Sequence, residues 1–225
     1  MSNFTRDRLT LLDLCAIPRP SHWPRILNAF DLLAEGESVR LRGYDNPTTI
    51  LMQLQDLHTE EFFWIPYQNN KEHWEAEIIK RPKNQPVRVC ELLEADHRRL
   101  DGLIQATLAA EESGLEEIAN RRFEAFLWGT RHHLRMEEEV LYPAVKAVGL
   151  PIHQIPGDNL QDQHTEIDTL LEQLANISLR SAALQTLRGV LRRHHHHEEY
   201  QLYPLCDELL ADQATLHQER MSSLP

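Results

Sequence analysis

One pattern occurs twice in this chain and limits what it can become. His133-Leu-Arg-Met-Glu137-Glu-Glu-Val-Leu-Tyr-Pro143 and His194-His-His-His-Glu198-Glu-Tyr-Gln-Leu-Tyr-Pro204 both read H-x-x-x-E-E-x-x-L-Y-P. On a helix a step of four residues stacks two side chains on one face, so each copy offers an imidazole nitrogen beside a carboxylate oxygen. Each copy is therefore half of a metal site. Two half-sites in one chain predict a helical bundle in which they face each other across a carboxylate-bridged metal pair.

The periodicity after residue 87 agrees. Four helical segments are predicted, at 87–112, 115–148, 158–176 and 179–210, joined by breaks at Ser113-Gly114, Gly149-Leu-Pro151 through Pro156-Gly157, and Ile177-Ser178. Ser113 with Glu116 fits a capping box, and Asp158 a cap for the third helix. Short connections predict an all-α, up-down-up-down four-helix bundle. In the first helix Val89, Leu93, Leu100, Ile104 and Leu108 share a stripe with His97. Leu160, Ile167, Leu171 and Leu174 do the same for His164. Leu187, Val190 and Leu191 precede His194 on its stripe, and Phe126 and Leu141 flank His133 and Glu137.

The inward set is thus His97, His133, Glu137, His164, His194 and Glu198. Burying four imidazoles and two carboxylates unpartnered would cost several kcal/mol per ion, and a metal pair removes that penalty. By the same register His132, His195 and His196 face solvent, with His197 marginal. Gly129 and Thr130 leave room above His133 for a small ligand, and Tyr142 and Tyr203 are expected to pack against neighbouring helices. Asp96, Glu138, Asp168 and Glu199 are candidates to orient the imidazoles through their outer N–H. Pro143 and Pro204 should kink or loosen their helices.

Nitrogen and oxygen donors without thiolates favour iron or manganese over copper(I) or structural zinc. The expected cofactor is two iron ions, oxo- or hydroxo-bridged, with manganese or a mixed pair as the alternative. If Glu137 and Glu198 bridge, an octahedral iron keeps one position open for nitric oxide, oxygen or peroxide. Cys15, Cys90 and Cys206 are odd in number and widely spaced, so neither a disulfide framework nor a thiolate zinc site is indicated. With 23 Lys+Arg against 35 Asp+Glu, the net charge of -12 argues against nucleic acid as a partner. No apolar run approaches the roughly 20 residues of a membrane span, and the polar start at Met1 has no signal core. These features lead to an expected cytoplasmic location.

Before residue 82 the pattern changes to an α+β, two-layer domain of order β-α-β-α-β-β. Strands are expected at Leu9–Leu14, Glu37–Gly43, Glu61–Tyr67 and Trp74–Ile79. One helix should run from a Ser21 cap to about Glu35, stopped by Gly36, and another from Thr48 to Leu57. Asp45-Asn-Pro47 and Gln68-Asn-Asn-Lys71 read as turns. His22 reads as a structural residue at a helix start. Arg81-Pro-Lys-Asn-Gln-Pro86 breaks both periods, giving domains at 1–81 and 87–225 with a linker at 82–86.

Leu12-Asp13, Ile17-Pro-Arg-Pro20, Gly36-Glu37 and Asp45-Asn-Pro-Thr-Thr49 resemble the TusA/SirA sulfur-carrier superfamily, in an uncharacterised branch of it often fused to hemerythrin-like domains. In those carriers the persulfide cysteine directly precedes the first proline. Here that position is Ile17, with Cys15 two residues upstream, so the resemblance implies a binding or docking module and not sulfur transfer.

Asp96-His97, His133-x-x-x-Glu137-Glu138, Gln163-His164 and His194-x-x-x-Glu198-Glu199, each glutamate pair followed by Leu-Tyr-Pro, resemble the hemerythrin-like HHE cation-binding domain. The pattern is also similar to that of the bacterial iron-sulfur-cluster repair proteins of the RIC type. That resemblance implies a non-haem di-iron protein binding nitric oxide or oxygen in nitrosative or oxidative stress response or in iron-sulfur cluster repair. Oxygen-carrying hemerythrins have a further histidine where this chain has Asp168. Two other readings stay open: a gas or redox sensor that docks a protein partner through residues 1–81, and a di-iron oxidase or peroxidase. The sequence also permits a homodimer.

Overall fold

The computed structural model describes residues 10–44, 47–58, 60–69, 73–83, 85–149, 160–175 and 180–224. The expected turn residues Asp45, Asn46, Asn70 and Lys71, the Asp158 cap and the breaks at 150–157 and 177–178 lie outside them, as does Leu9. The chain divides after Pro86 into two compact units.

The first unit has the expected element order. β1 (Thr10–Asp13), α1 (His22–Asp31), β2 (Ser38–Gly43), α2 (Thr48–Leu57), β3 (Phe62–Asn69) and β4 (Trp74–Lys80) build a sheet of order β1-β2-β4-β3, in which only the β1–β2 pair is parallel. Alternation in β2 sends Val39 and Leu41 inward and Arg40 and Arg42 to the other face. The inward face packs on Ile26 and Phe30 of α1 and on Leu51 and Leu54 of α2, at the i,i+4 and i,i+3 spacings of buried helix stripes. On the other face Arg42 Nη2 meets Glu75 Oε1 at 2.6 Å and Ser38 Oγ donates to Glu77 Oε1 at 2.5 Å. Pro66, which has no N–H, sits in edge strand β3 beside a bulge.

Helix α1 stops at Asp31, short of the expected Glu35. The cause is the sheet. Gly36 N–H donates to Lys80 O and Lys80 N–H to Glu37 O, so the chain is already joining β4 by residue 36. Gly36 turns there with φ +80°, a conformation open to glycine. Ser21 makes no side-chain cap.

The second unit is helical. It contains α3 (Glu91–Glu112), α4 (Glu116–Met136), α5 (Tyr142–Ala147), α6 (Leu160–Ala175), α7 (Ser181–His197), α8 (Tyr203–Leu209) and α9 (Ala214–Ser222). Ser113 does not form the expected box. Its hydroxyl donates back to Ala109 O, and α4 begins without a side-chain cap. Gly114 at φ +69° instead makes the turn, donating to Glu111 O.

Between α4 and α5, and between α7 and α8, the helix runs on as one π-helical turn, at Glu137–Leu141 and Glu198–Leu202. Tyr142 N–H donates to Glu137 O and Tyr203 N–H to Glu198 O. Pro143 and Pro204 are the reason. Each lacks the N–H that an α turn would need, and its ring crowds the carbonyl four residues back, so the preceding turn widens. The prolines therefore act as wideners, and each widened turn begins at the glutamate of the repeated pattern.

Candidate metal centre

All six residues predicted to point inward are buried, and Glu137 and Glu198 have no exposed surface at all. Donor atoms of Glu137, His164, His194 and Glu198 lie within 4.8 Å of one another, and those of His97 and His133 form a second group with His195. Glu198 spans both groups. Its Oε1 is 3.1 Å from His194 Nε2 and its Oε2 is 3.5 Å from His97 Nε2. Glu137 Oε2 is 3.3 Å from His164 Nε2 and 3.8 Å from His133 Nε2. His97 and His133 bring their Nε2 atoms to 3.0 Å. Two neighbouring ligands held about 2.1 Å from one ion stand roughly 3 Å apart, so these separations are those of ligands around a small cation.

The four imidazoles are aimed by a closed ring of outer bonds. Asp96 on α3 accepts from His133 Nδ1–H at 3.0 Å, and Glu138, following α4, accepts from His164 Nδ1–H at 2.9 Å. Gln163 on α6 accepts from His194 Nδ1–H at 2.8 Å, and Glu199, following α7, accepts from His97 Nδ1–H at 2.7 Å. Each acceptor is the sequence neighbour of one donor and serves a histidine on the next helix. With Nδ1 donating, Nε2 is the nitrogen turned to the centre, the one a cation would bind. Asp96 is itself fixed by Arg99 Nε at 2.6 Å. Gln163 was missing from the predicted supports. The signal for it is simple: it stands directly before a ligating-type histidine, as Asp96 does.

Electrostatics inside the ring call for positive charge. Burial and the facing Glu137 push Glu198 well above the ordinary carboxylate range. Burial alone would raise Glu137 too, but His133 and His164 hold it below. Burial opposes a charge on His164, yet the adjacent Glu137 and Glu198 carboxylates raise it to about 11, while burial lowers His194 to about 3. Glu137 Oε2, Glu198 Oε2 and His194 Nε2 are buried with no hydrogen-bond partner. Orphans of this kind are rare in proteins and costly, and here they converge on one spot. The donor set therefore fits a cation pair.

Several expectations are corrected. Tyr142 and Tyr203 contact the cluster instead of only packing: Tyr203 Oη donates to Glu137 Oε1 at 2.7 Å, and Tyr142 Oη to Glu198 Oε1 at 3.4 Å. His195 is not a solvent residue, for its ring stacks on His97 with centroids 3.6 Å apart and planes 10° from parallel. His132 is buried, stacked on Trp128 and 3.3 Å from Leu224 O through Nε2. Asp168 supports no histidine and pairs with Arg131 at 3.1 Å on the surface. The room left by Gly129 is filled by Arg99, whose Nη2 would lie 2.6 Å from an added Cβ. His196 is exposed as expected, and His197 is half-buried.

In the first unit His22 Nε2–H donates to Ile17 O at 2.7 Å, the structural role expected of it. Burial and Asp13 raise the Cys15 thiol, which is the opposite of an activated sulfur nucleophile. No described helix is long and apolar enough to cross a membrane.

The family described as "Uncharacterized conserved protein (DUF2249)" matches residues 11–80. The family described as "Hemerythrin HHE cation binding domain" matches residues 89–206, with a second match over 156–222. Neither the curated proteins nor the solved structures contain a match. Since the first hemerythrin match alone spans more than half of the chain, and the His/Glu cluster lies within it, the chain belongs to the hemerythrin HHE cation-binding family.

Proposed function

We propose that His97, His133, Glu137, His164, His194 and Glu198 hold two iron ions with the two glutamates bridging, and that the centre binds a diatomic ligand, nitric oxide or oxygen. The observation that carries this reading is the closed ring: four imidazoles fixed through Nδ1, with their Nε2 atoms turned toward two buried carboxylates that each keep one oxygen, Oε2, without a hydrogen-bond partner. When bound, the iron pair supplies an open coordination position and redox electrons. The chain's residues do the rest. The outer acceptors hold each imidazole with Nε2 toward the centre, and the protonated phenols of Tyr142 and Tyr203 stabilise the carboxylates by hydrogen bonding. Both phenols are kept protonated by burial and by the neighbouring glutamates.

Asp168, paired with Arg131 at the surface, is not available as an additional ligand. This favours nitric oxide sensing or detoxification, in the cytoplasm under nitrosative or oxidative stress, over reversible oxygen transport. Residues 1–81 are proposed as a separate docking module, joined by the linker at 82–86. Leu32, Tyr44, Met52 and Leu57 of that unit are large apolar side chains left exposed. Elemental analysis with an anaerobic nitric oxide titration tests the centre. About two irons per chain are expected from a bridged pair, with saturable nitric oxide binding. Full iron occupancy in a Glu137→Ala/Glu198→Ala double variant would remove the bridges and the reading with them.

A further inference from the structure

Beside the four imidazoles of the donor ring stands a fifth. His195 follows His194 in α7, and successive residues of a helix lie about 100° apart, so the two rings leave the helix toward different neighbours. His194 joins Glu137, His164 and Glu198 in one group of donor atoms, whereas His195 joins His97 and His133 in the other, the atoms of each group lying within 4.8 Å of one another. Helix α7 therefore offers one imidazole to each half of the centre. His195 differs from the other four in how it is held. Each of those rings is buried and fixed through Nδ1 by an outer acceptor. His195 is half-buried, and among the described residues its ring makes ring contacts but no hydrogen bond.

We propose that His195 is a further metal donor of this chain, a mobile imidazole that leaves its stack on His97 and binds the cation held by His97 and His133. The proposal rests on the di-iron reading given above. The His195 ring lies on His97 with centroids 3.6 Å apart and planes 10° from parallel, and its centroid is 5.9 Å from that of His133. A cation sits in the plane of an imidazole that binds it, and parallel planes share no point. His97 and His195 therefore cannot serve one ion as they stand, and the His195 ring has to turn. No hydrogen bond among the described residues opposes that turn, and rotation about the Cβ–Cγ bond of a histidine is soft. The consequence is an unequal pair, one ion with three imidazoles and the other with two. As the half-exposed member of its group, His195 is also the donor that an arriving cation meets before the buried ones.

The test uses the full metal-free chain, titrated with cobalt(II) in competition with a chelator and followed by the visible absorption of the cobalt. The native chain should take up about two ions. His195→Phe keeps an aromatic ring for the stack and removes the donor nitrogens. One of the two ions should then bind more weakly, by at least the roughly 10- to 100-fold that loss of an outer support costs, and the cobalt bands should shift. His196→Phe, at the exposed neighbour, should change neither. A second measurement needs no variant: in the native chain diethyl pyrocarbonate should modify His195 before loading and spare it afterwards, as read from peptide masses. If His195→Phe holds both ions as tightly as the native chain, or if loading leaves the reactivity of His195 unchanged, the ring only packs, and the proposal is overturned while the metal centre stands. A native chain that retains neither cobalt nor iron overturns both.

Discussion

Acidification should destabilise this protein through His132. The ring is buried against Trp128, its Nε2 bonds to the Leu224 carbonyl, and its Nδ1 has no hydrogen-bond partner. Burial lowers its pKa from 6.5 to about 4, with Arg99 and Arg135 adding to the effect and Asp96 and the Leu224 carbonyl opposing it. The unfolded chain therefore takes up a proton near pH 6.5 that the folded chain refuses until about pH 4. Unfolding gains that proton in between, so the contribution to stability is complete above about pH 6.5 and is lost as pH falls toward 4. At 1.36 kcal/mol for each tenfold change in proton affinity, the whole loss is about 3 kcal/mol. Urea unfolding of iron-free protein at about pH 7 and about pH 4.5, compared with a His132→Phe variant, isolates the effect. Phe keeps the stacking on Trp128 and cannot titrate. The native chain should lose about 2 to 3 kcal/mol more than the variant between the two pH values. Equal losses would refute the account, because His132 would then titrate alike in both states.

Other substitutions probe the supports. Gly129→Ala places a methyl 2.6 Å from Arg99 Nη2 and should swing the guanidinium off Asp96, loosening His133; metal affinity in a chelator competition should fall by roughly 10-fold, and an unchanged affinity would show that Arg99 can yield freely. Gln163→Leu removes the acceptor of His194 Nδ1–H and should cost about 10- to 100-fold in the same competition, with Gln163→Glu restoring most of it. In the first unit, Gly43→Ala drives a Cβ to 2.7 Å from Cζ2 of Trp74, a rigid ring in the core. Denaturant unfolding should show that unit less stable by about 1–3 kcal/mol, and a neutral result would mean the indole has room to move.

Much of this architecture could be read from residue patterns because the patterns are local. Alternation in Ser38–Gly43, the stripe around His97 and the duplicated His/Glu step each announce their own element and face. What escaped reading depends on chain that arrives from elsewhere. His132 sits one residue from an inward histidine, and a helical wheel turns it outward. It is buried because the C-terminal stretch beyond the four predicted helices forms α9 and packs against the π turn after α4 while Leu224 O reaches the imidazole. His195 follows its inward neighbour where His132 precedes one, and a helical wheel turns it outward too, yet its ring stacks on His97. The two tyrosines were read as packing because the wheel assumes 3.6 residues per turn throughout. Each follows a π turn, which delays the helix by one residue and brings the hydroxyl round to the cluster. Ser21 and Ser113 matched cap patterns, but their backbones took other routes and the hydroxyls do not cap.

The tyrosine bonds cross over. The hydroxyl that steadies the glutamate after α4 is carried by the stretch after α7, and the reverse also holds. The helical hairpins are thus buttoned to each other, each wearing the other's fastener. A fragment containing only α3 to α5, or only α6 to α8, would keep one glutamate and lose the phenol that belongs to it. The duplicated halves are consequently not two small proteins joined in tandem, but one device that was never divisible at its midpoint.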